Sequence, residues 1–135
     1  MGNDNECVNV NIIPSRTRVK QGYFQRDTSL ASGYQQIQGL GFPPRNIIFN
    51  ASIFNTFQYS LGFDDNKNPS CQAQIGLAGI WGATIGYSIW LQQDQANTIK
   101  AFANIFSMDA DGFTVGWNII GAKTGIATIT YVAYS

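Results

Sequence analysis

The amino-acid sequence predicts an all-β chain, an antiparallel sandwich or small barrel of about seven to nine short strands. Three observations point there. Apolar and polar residues alternate with period two in short runs, as in Phe57-Gln-Tyr-Ser-Leu-Gly-Phe63. Turn-forming clusters of Gly, Pro, Asn and Asp recur at spacings of roughly ten residues. No stretch holds an apolar period of about 3.6 residues over the length of an ordinary helix.

The centre of the predicted core is a hairpin, Phe102 to Met108, a turn at Asp109-Ala-Asp-Gly112, and Phe113 to Ile120. Asp111-Gly112 between apolar runs is a strong hairpin signal, because a type I′ turn needs positive φ at both central residues. With those two residues as the loop, Met108 pairs with Val115 and Phe106 with Trp117, so the large apolar side chains share one face. A four-residue loop shifts the pairing but keeps the face. Phe106, Met108, Asp111, Gly112, Phe113, Val115 and Trp117 are the residues assigned to this core hairpin.

Taken in order, the chain opens with residues 1–15, an N-terminal arm or first strand, followed by a single domain over 16–135. Val8-Asn-Val-Asn-Ile-Ile13 alternates and stops at Pro14, so it suits strand addition to a neighbour or a first strand of the domain. Thr17 to Phe24 reads as a strand with Arg16, Arg18 and Lys20 pointing the same way, a solvated face or a cationic stripe for an acidic partner. Tyr34 to Gln38 is a short strand, and Gly39-Leu-Gly-Phe-Pro-Pro44 breaks the chain. Asn46 to Ile53 reads as a central strand, and Phe57 to Phe63 as one that ends in the turn Asp64 to Pro69. Cys71 to Gly86 is small and glycine-rich, an irregular apolar segment with Ile80 and Trp81 exposed for a subunit contact. Tyr87 to Gln92 is another strand. The last, Gly125 to Tyr134, is apolar on both faces, and is central or covered by another subunit.

Composition bounds the function. The 135 residues fit one domain. Charged residues make up only 12%, about half the usual share, and 12 Asn and 11 Gln carry the polar load. Low charge and zero formal net charge favour association, so a homo-oligomer or docking onto a larger assembly is expected. Eight Lys and Arg against eight Asp and Glu make no broad basic field, which argues against nucleic acid. The first ten residues have no secretory pattern and no window reaches a membrane span, so synthesis in a cytoplasm is expected. Cys7 and Cys71 have no histidine to work with, which argues against Cys-His catalysis and zinc sites; both read most simply as free thiols, with a disulfide between them as the alternative.

The order of segments resembles a group of small tailed-phage virion proteins. Gly22-Tyr-Phe24, Gly41-Phe-Pro43 with its following apolar strand, Ser60 to Asp65, and Phe106-Ser-Met-Asp-Ala-Asp-Gly-Phe-Thr-Val-Gly-Trp117 carry the likeness, with Tyr131-Val-Ala133 closing it. The resemblance implies a lectin-like antiparallel β-sandwich, jelly-roll or H-type-lectin-like, often a homotrimer, found on the virion as a decoration, fibre or tail protein.

Enzymatic and metal roles are not expected. Asp64-Asp65, Asp109 and Asp111 are explained by turn chemistry, and catalytic residues, cofactors and metals are assigned to none. Asp109-x-Asp111-Gly112 has the start of a calcium loop, but the twelfth position is Ile120 and the flanks are strands. Two non-enzymatic readings remain. The first is a capsid decoration or cement subunit that self-associates and clamps capsid or other virion proteins, with contacts through Val8, Val10, Ile12, Ile80, Trp81, Ile129 and Tyr131. The second is a tail or fibre adhesin that stacks a host glycan on Trp81, Tyr87 and Trp90 with Asp94 on its hydroxyls.

Overall fold

The computed structural model describes residues 16–75 and 79–135. They form ten strands: β1 Val19–Asp27, β2 Gly33–Gln38, β3 Asn46–Ile53, β4 Tyr59–Asp64, β5 Ser70–Gln74, β6 Trp81–Thr84, β7 Ile89–Gln92, β8 Lys100–Asp109, β9 Gly112–Ile120 and β10 Ile126–Tyr134. A six-stranded sheet runs β1-β10-β3-β4-β5-β6 and a four-stranded sheet β2-β9-β8-β7, with every pairing antiparallel. The all-β sandwich is as expected, with ten strands rather than seven to nine. The excess comes from the segment after Cys71, which is a regular hairpin partner: β5 pairs with β6 from Cys71↔Thr84 to Gln74↔Trp81.

Between the sheets lies one core built on Phe24, Phe49, Phe113 and Tyr131, whose rings meet edge-on or tilted at centroid distances of 5.2–6.4 Å. β10 is central, between β1 and β3. Its Ile129 and Tyr131 face the core and are buried, which removes both from the predicted subunit contact. Tyr131 fits because Gly22 opposite it on β1 has no side chain in its way.

The β8–β9 hairpin differs from the predicted pairing. Its loop is Ala110-Asp111, with Asp109 opposite Gly112 and Met108 opposite Phe113. None of these turn residues has positive φ, so the turn is not of the primed type. A bulge between Ile105 and Ser107 then resets the register, so that Ile105 faces Val115 and Ala103 faces Trp117. One extra residue reverses the side-chain parity. Val115, Trp117 and Phe113 remain in the core, Met108 packs at its margin, and Phe106 is turned out to 60% exposure.

Gly112 serves close approach rather than turn geometry, because a Cβ there would overlap the Ile37 carbonyl of β2. Beside it Asp111 clamps the Gly39–Gly41 loop. Its carboxylate accepts the N–H groups of Gly39 at 3.1 Å and Gly41 at 2.6 Å, and its carbonyl accepts that of Leu40 at 3.0 Å. Gly39 and Gly41 sit at φ +90° and +84°, and the clamp presses Leu40 and Phe42 into the core. The 109–112 turn and the 39–43 loop thus hold each other.

Candidate functional site

The clearest candidate for an interaction surface is the outer face of the six-stranded sheet, and its origin lies in β4. Tyr59, Leu61 and Phe63 do share one face, but that face is turned away from the core, while Ser60, Gly62 and Asp64 point inward. The reason is the approach of β7. A Cβ on Gly62 would overlap the Ser88 carbonyl, Ser60 Oγ accepts the Trp90 N–H at 3.1 Å, and Asp64 accepts from Ser88 Oγ at 2.9 Å and from the Ile105 N–H at 2.7 Å. Small and polar residues are needed where the two backbones meet, so the large apolar ones go outside.

Register extends this face across all six strands. Gln21, Val132, Ile48, Phe63 and Ser70 form one transverse row. Tyr23, Thr130, Asn50, Leu61, Gln72 and Ala83 form the next, and Gln25, Thr128, Ser52, Tyr59, Gln74 and Trp81 a third. None of these seventeen positions is Asp, Glu, Lys or Arg. Ile48, Leu61 and Phe63, 37%, 47% and 39% exposed, lie at its middle, where a depression of about 750 Å³ runs between them, Ala83 and Ile85. An apolar centre inside an uncharged amide and hydroxyl border is the anatomy of a protein interface rather than of a solvated sheet face.

Of the predicted contact residues, Val8, Val10 and Ile12 lie outside the described residues. Trp81 stands at the β6 edge of this face and Ile80 precedes it, both exposed. Ile48, Leu61, Phe63 and Tyr23 were missed. The available signal was the alternation of residues 57–63, in which the opposite parity holds only Ser, Gly and Gln.

The predicted glycan residues are divided. Tyr87 and Trp90 meet at a cavity of about 230 Å³ that Phe102, Asn97 and Lys100 complete. There the Tyr87 ring lies 4.1 Å from that of Phe102, and Trp90 Nε1 donates to Gln92 at 2.9 Å. Trp81 points to the other face of β6. Asp94 is committed to its own turn: it accepts from the Thr98 hydroxyl and from the N–H groups of Thr98 and Ile99, which hold its carboxyl below the usual range.

The other acids are likewise held locally. Asp65 accepts from Lys67 and Asn68, Asp27 from Ser29, and Asp109 from Ser107 and Thr114, while the adjacent Asp64 is turned into the interior. Among the described residues no three His, Cys, Asp or Glu side chains gather as a metal site. Cys71 is buried, and burial pushes its thiol up to about 12, so the thiolate is scarce at neutral pH. Arg45 joins Arg16 and Arg18 around Phe42, Pro43 and Ser135, where Arg18 Nη1 donates to the Gly41 carbonyl at 3.1 Å.

Comparison with known proteins returns no matching family model, no matching curated protein and no matching solved structure. The two-sheet fold and its two outer faces are what define this chain.

Proposed function

We propose that the chain is a non-enzymatic virion structural protein, a capsid decoration or cement subunit that self-associates and stabilises a phage particle. The observation that carries this reading is the uncharged outer face of the six-stranded sheet with Ile48, Leu61 and Phe63 at its centre. Such a face is disfavoured in water and favoured against another protein surface. The homotrimer implied by the phage likeness, and binding to capsid or other virion proteins, belong to the same reading. A subunit that binds only the assembled shell stabilises it by mass action.

The alternative is a tail or fibre adhesin for a host glycan, and the aromatic cavity at Tyr87 and Trp90 favours it. Copy number and position on purified particles, read by labelling and imaging together with mass in solution, separate the two. Hundreds of copies over the head are expected for the decoration subunit. A handful at the tail end would overturn it in favour of the adhesin.

A further inference from the structure

The outer face of the four-stranded sheet, on the opposite side of the sandwich, has a different chemistry. The β8 bulge turns Phe106 outward, where its ring lies 4.5 Å from that of Tyr34 on β2, at an angle of 47°. The two rings are 60% and 66% exposed. They stand over Gly116 of β9, whose absent side chain would come within 3.6 Å of Tyr34 and 3.8 Å of Phe106. Bulges commonly re-aim one side chain at a binding site. This one converts a core position into half of an aromatic platform.

Beside the platform is a concavity of about 560 Å³ bordered by Ser32, Tyr87, Asn104 and Asn118, with no charged residue in its lining. Neither Asn104 nor Asn118 has a side-chain hydrogen-bond partner among the described residues, so both amides offer a donor and an acceptor to an incoming group. Tyr87 also borders the smaller cavity of Phe102, Trp90 and Lys100, which continues the surface as a groove across β9, β8 and β7.

We propose that this groove binds a neutral oligosaccharide, with one pyranose ring on Tyr34 and Phe106 and its hydroxyls on Asn104 and Asn118. A sugar ring has an apolar C–H face that suits an exposed aromatic surface. Its hydroxyls both donate and accept, as carboxamides do. A purely apolar partner would leave the two amides unpaired, and an ionic ligand would find no counter-charge at the platform. Trp81 and Asp94 take no part. The site stands on surface chemistry alone, so it does not depend on whether the chain sits on a head or a tail.

The test is a glycan array of defined neutral and acidic oligosaccharides, then calorimetric titration of the best neutral binder. Binding in the micromolar to millimolar range is expected, weakened at least tenfold by Tyr34→Ala and by Asn104→Ala and unchanged by Gln72→Ala on the other sheet. On the unsubstituted protein, the same sugar is expected to shift the side-chain amide resonances of Asn104 and Asn118. Three outcomes would overturn the proposal: no array glycan bound at millimolar concentration, shifts confined to residues outside the groove, or a virion protein captured by this face with no competition from sugar. None of these bears on copy number, so the structural reading stands or falls separately.

Discussion

At the residue scale, most of the buried polar side chains serve the backbone, and the Lys123–Gln58 pair, which meets side chain to side chain, does not. Buried Asp64 and exposed Asp111 each replace a missing strand or loop partner with a carboxylate that accepts backbone N–H groups. Lys123, almost fully buried, has the Gln58 carbonyl as a neutral partner, and burial pulls its ammonium down to about 8. An unfolded lysine titrates near 10.4, so above pH 8 the unfolded chain holds the extra proton and folding gains as pH rises. The charge-burial penalty is complete below pH 8 and relieved by about pH 10. Urea unfolding at pH 7.5 and 10 is expected to show the native protein gaining about 2 kcal/mol relative to Lys123→Met, and a pH-independent difference would refute it. The comparison with a variant is needed because Cys71 and Tyr131, both raised by burial, destabilise the fold as pH rises above about 9.

At the element scale, the β8–β9 hairpin shows how one inserted residue redirects a strand. Phe106 and Phe113 look equivalent in the sequence, yet Phe113 sits at the meeting point of Phe24, Phe49 and Tyr131 and Phe106 lies outside. Phe113→Ala is expected to cost about 3–5 kcal/mol, by lost transfer energy and the cavity left behind. Phe106→Ala is expected to cost less than about 1 kcal/mol, because its ring loses only the Tyr34 contact. Equal losses in denaturant melts would mean that the bulge is misplaced. The β4–β7 contact obeys a different rule, since hydrogen bonds and a glycine, rather than apolar side chains, join the sheets there.

At the scale of the whole molecule, the two outer faces differ in chemistry, one proposed here for assembly and the other for recognition. Low charge is not spread evenly: seventeen contiguous positions of the six-stranded sheet have none, while Arg16, Arg18 and Arg45 gather at one end. Leu61→Glu and Phe63→Glu are expected to lower the mass in solution to that of one chain, measured by light scattering. Both side chains point to solvent in the isolated subunit, so the melting temperature of the monomer should move little, by the equivalent of about 0.5 kcal/mol or less. An oligomer that survives both substitutions would place the subunit contact elsewhere.

The sequence by itself determined the elements. Period-two alternation and turn residues located β1 to β4 and β7 to β10 to within a few residues, β3 at its observed bounds, because side-chain parity and turn chemistry are local properties. It also determined the low charge, from which association is expected. Tertiary structure decided which side of each strand is the inside. Leu61 and Phe63 face out because β7 comes too close for them, Tyr131 faces in where Gly22 of β1 leaves room for its ring, with Ile129 on the same side, and Phe106 faces out because of a bulge that no residue type announces. Those choices depend on contacts between segments far apart in the chain, such as Gly62 with Ser88 and Gly112 with Ile37. Both candidate surfaces rest on them, so before the sheets were assembled only fragments were legible: the alternation of residues 57–63, and Trp81 and Tyr87 as candidate contact aromatics.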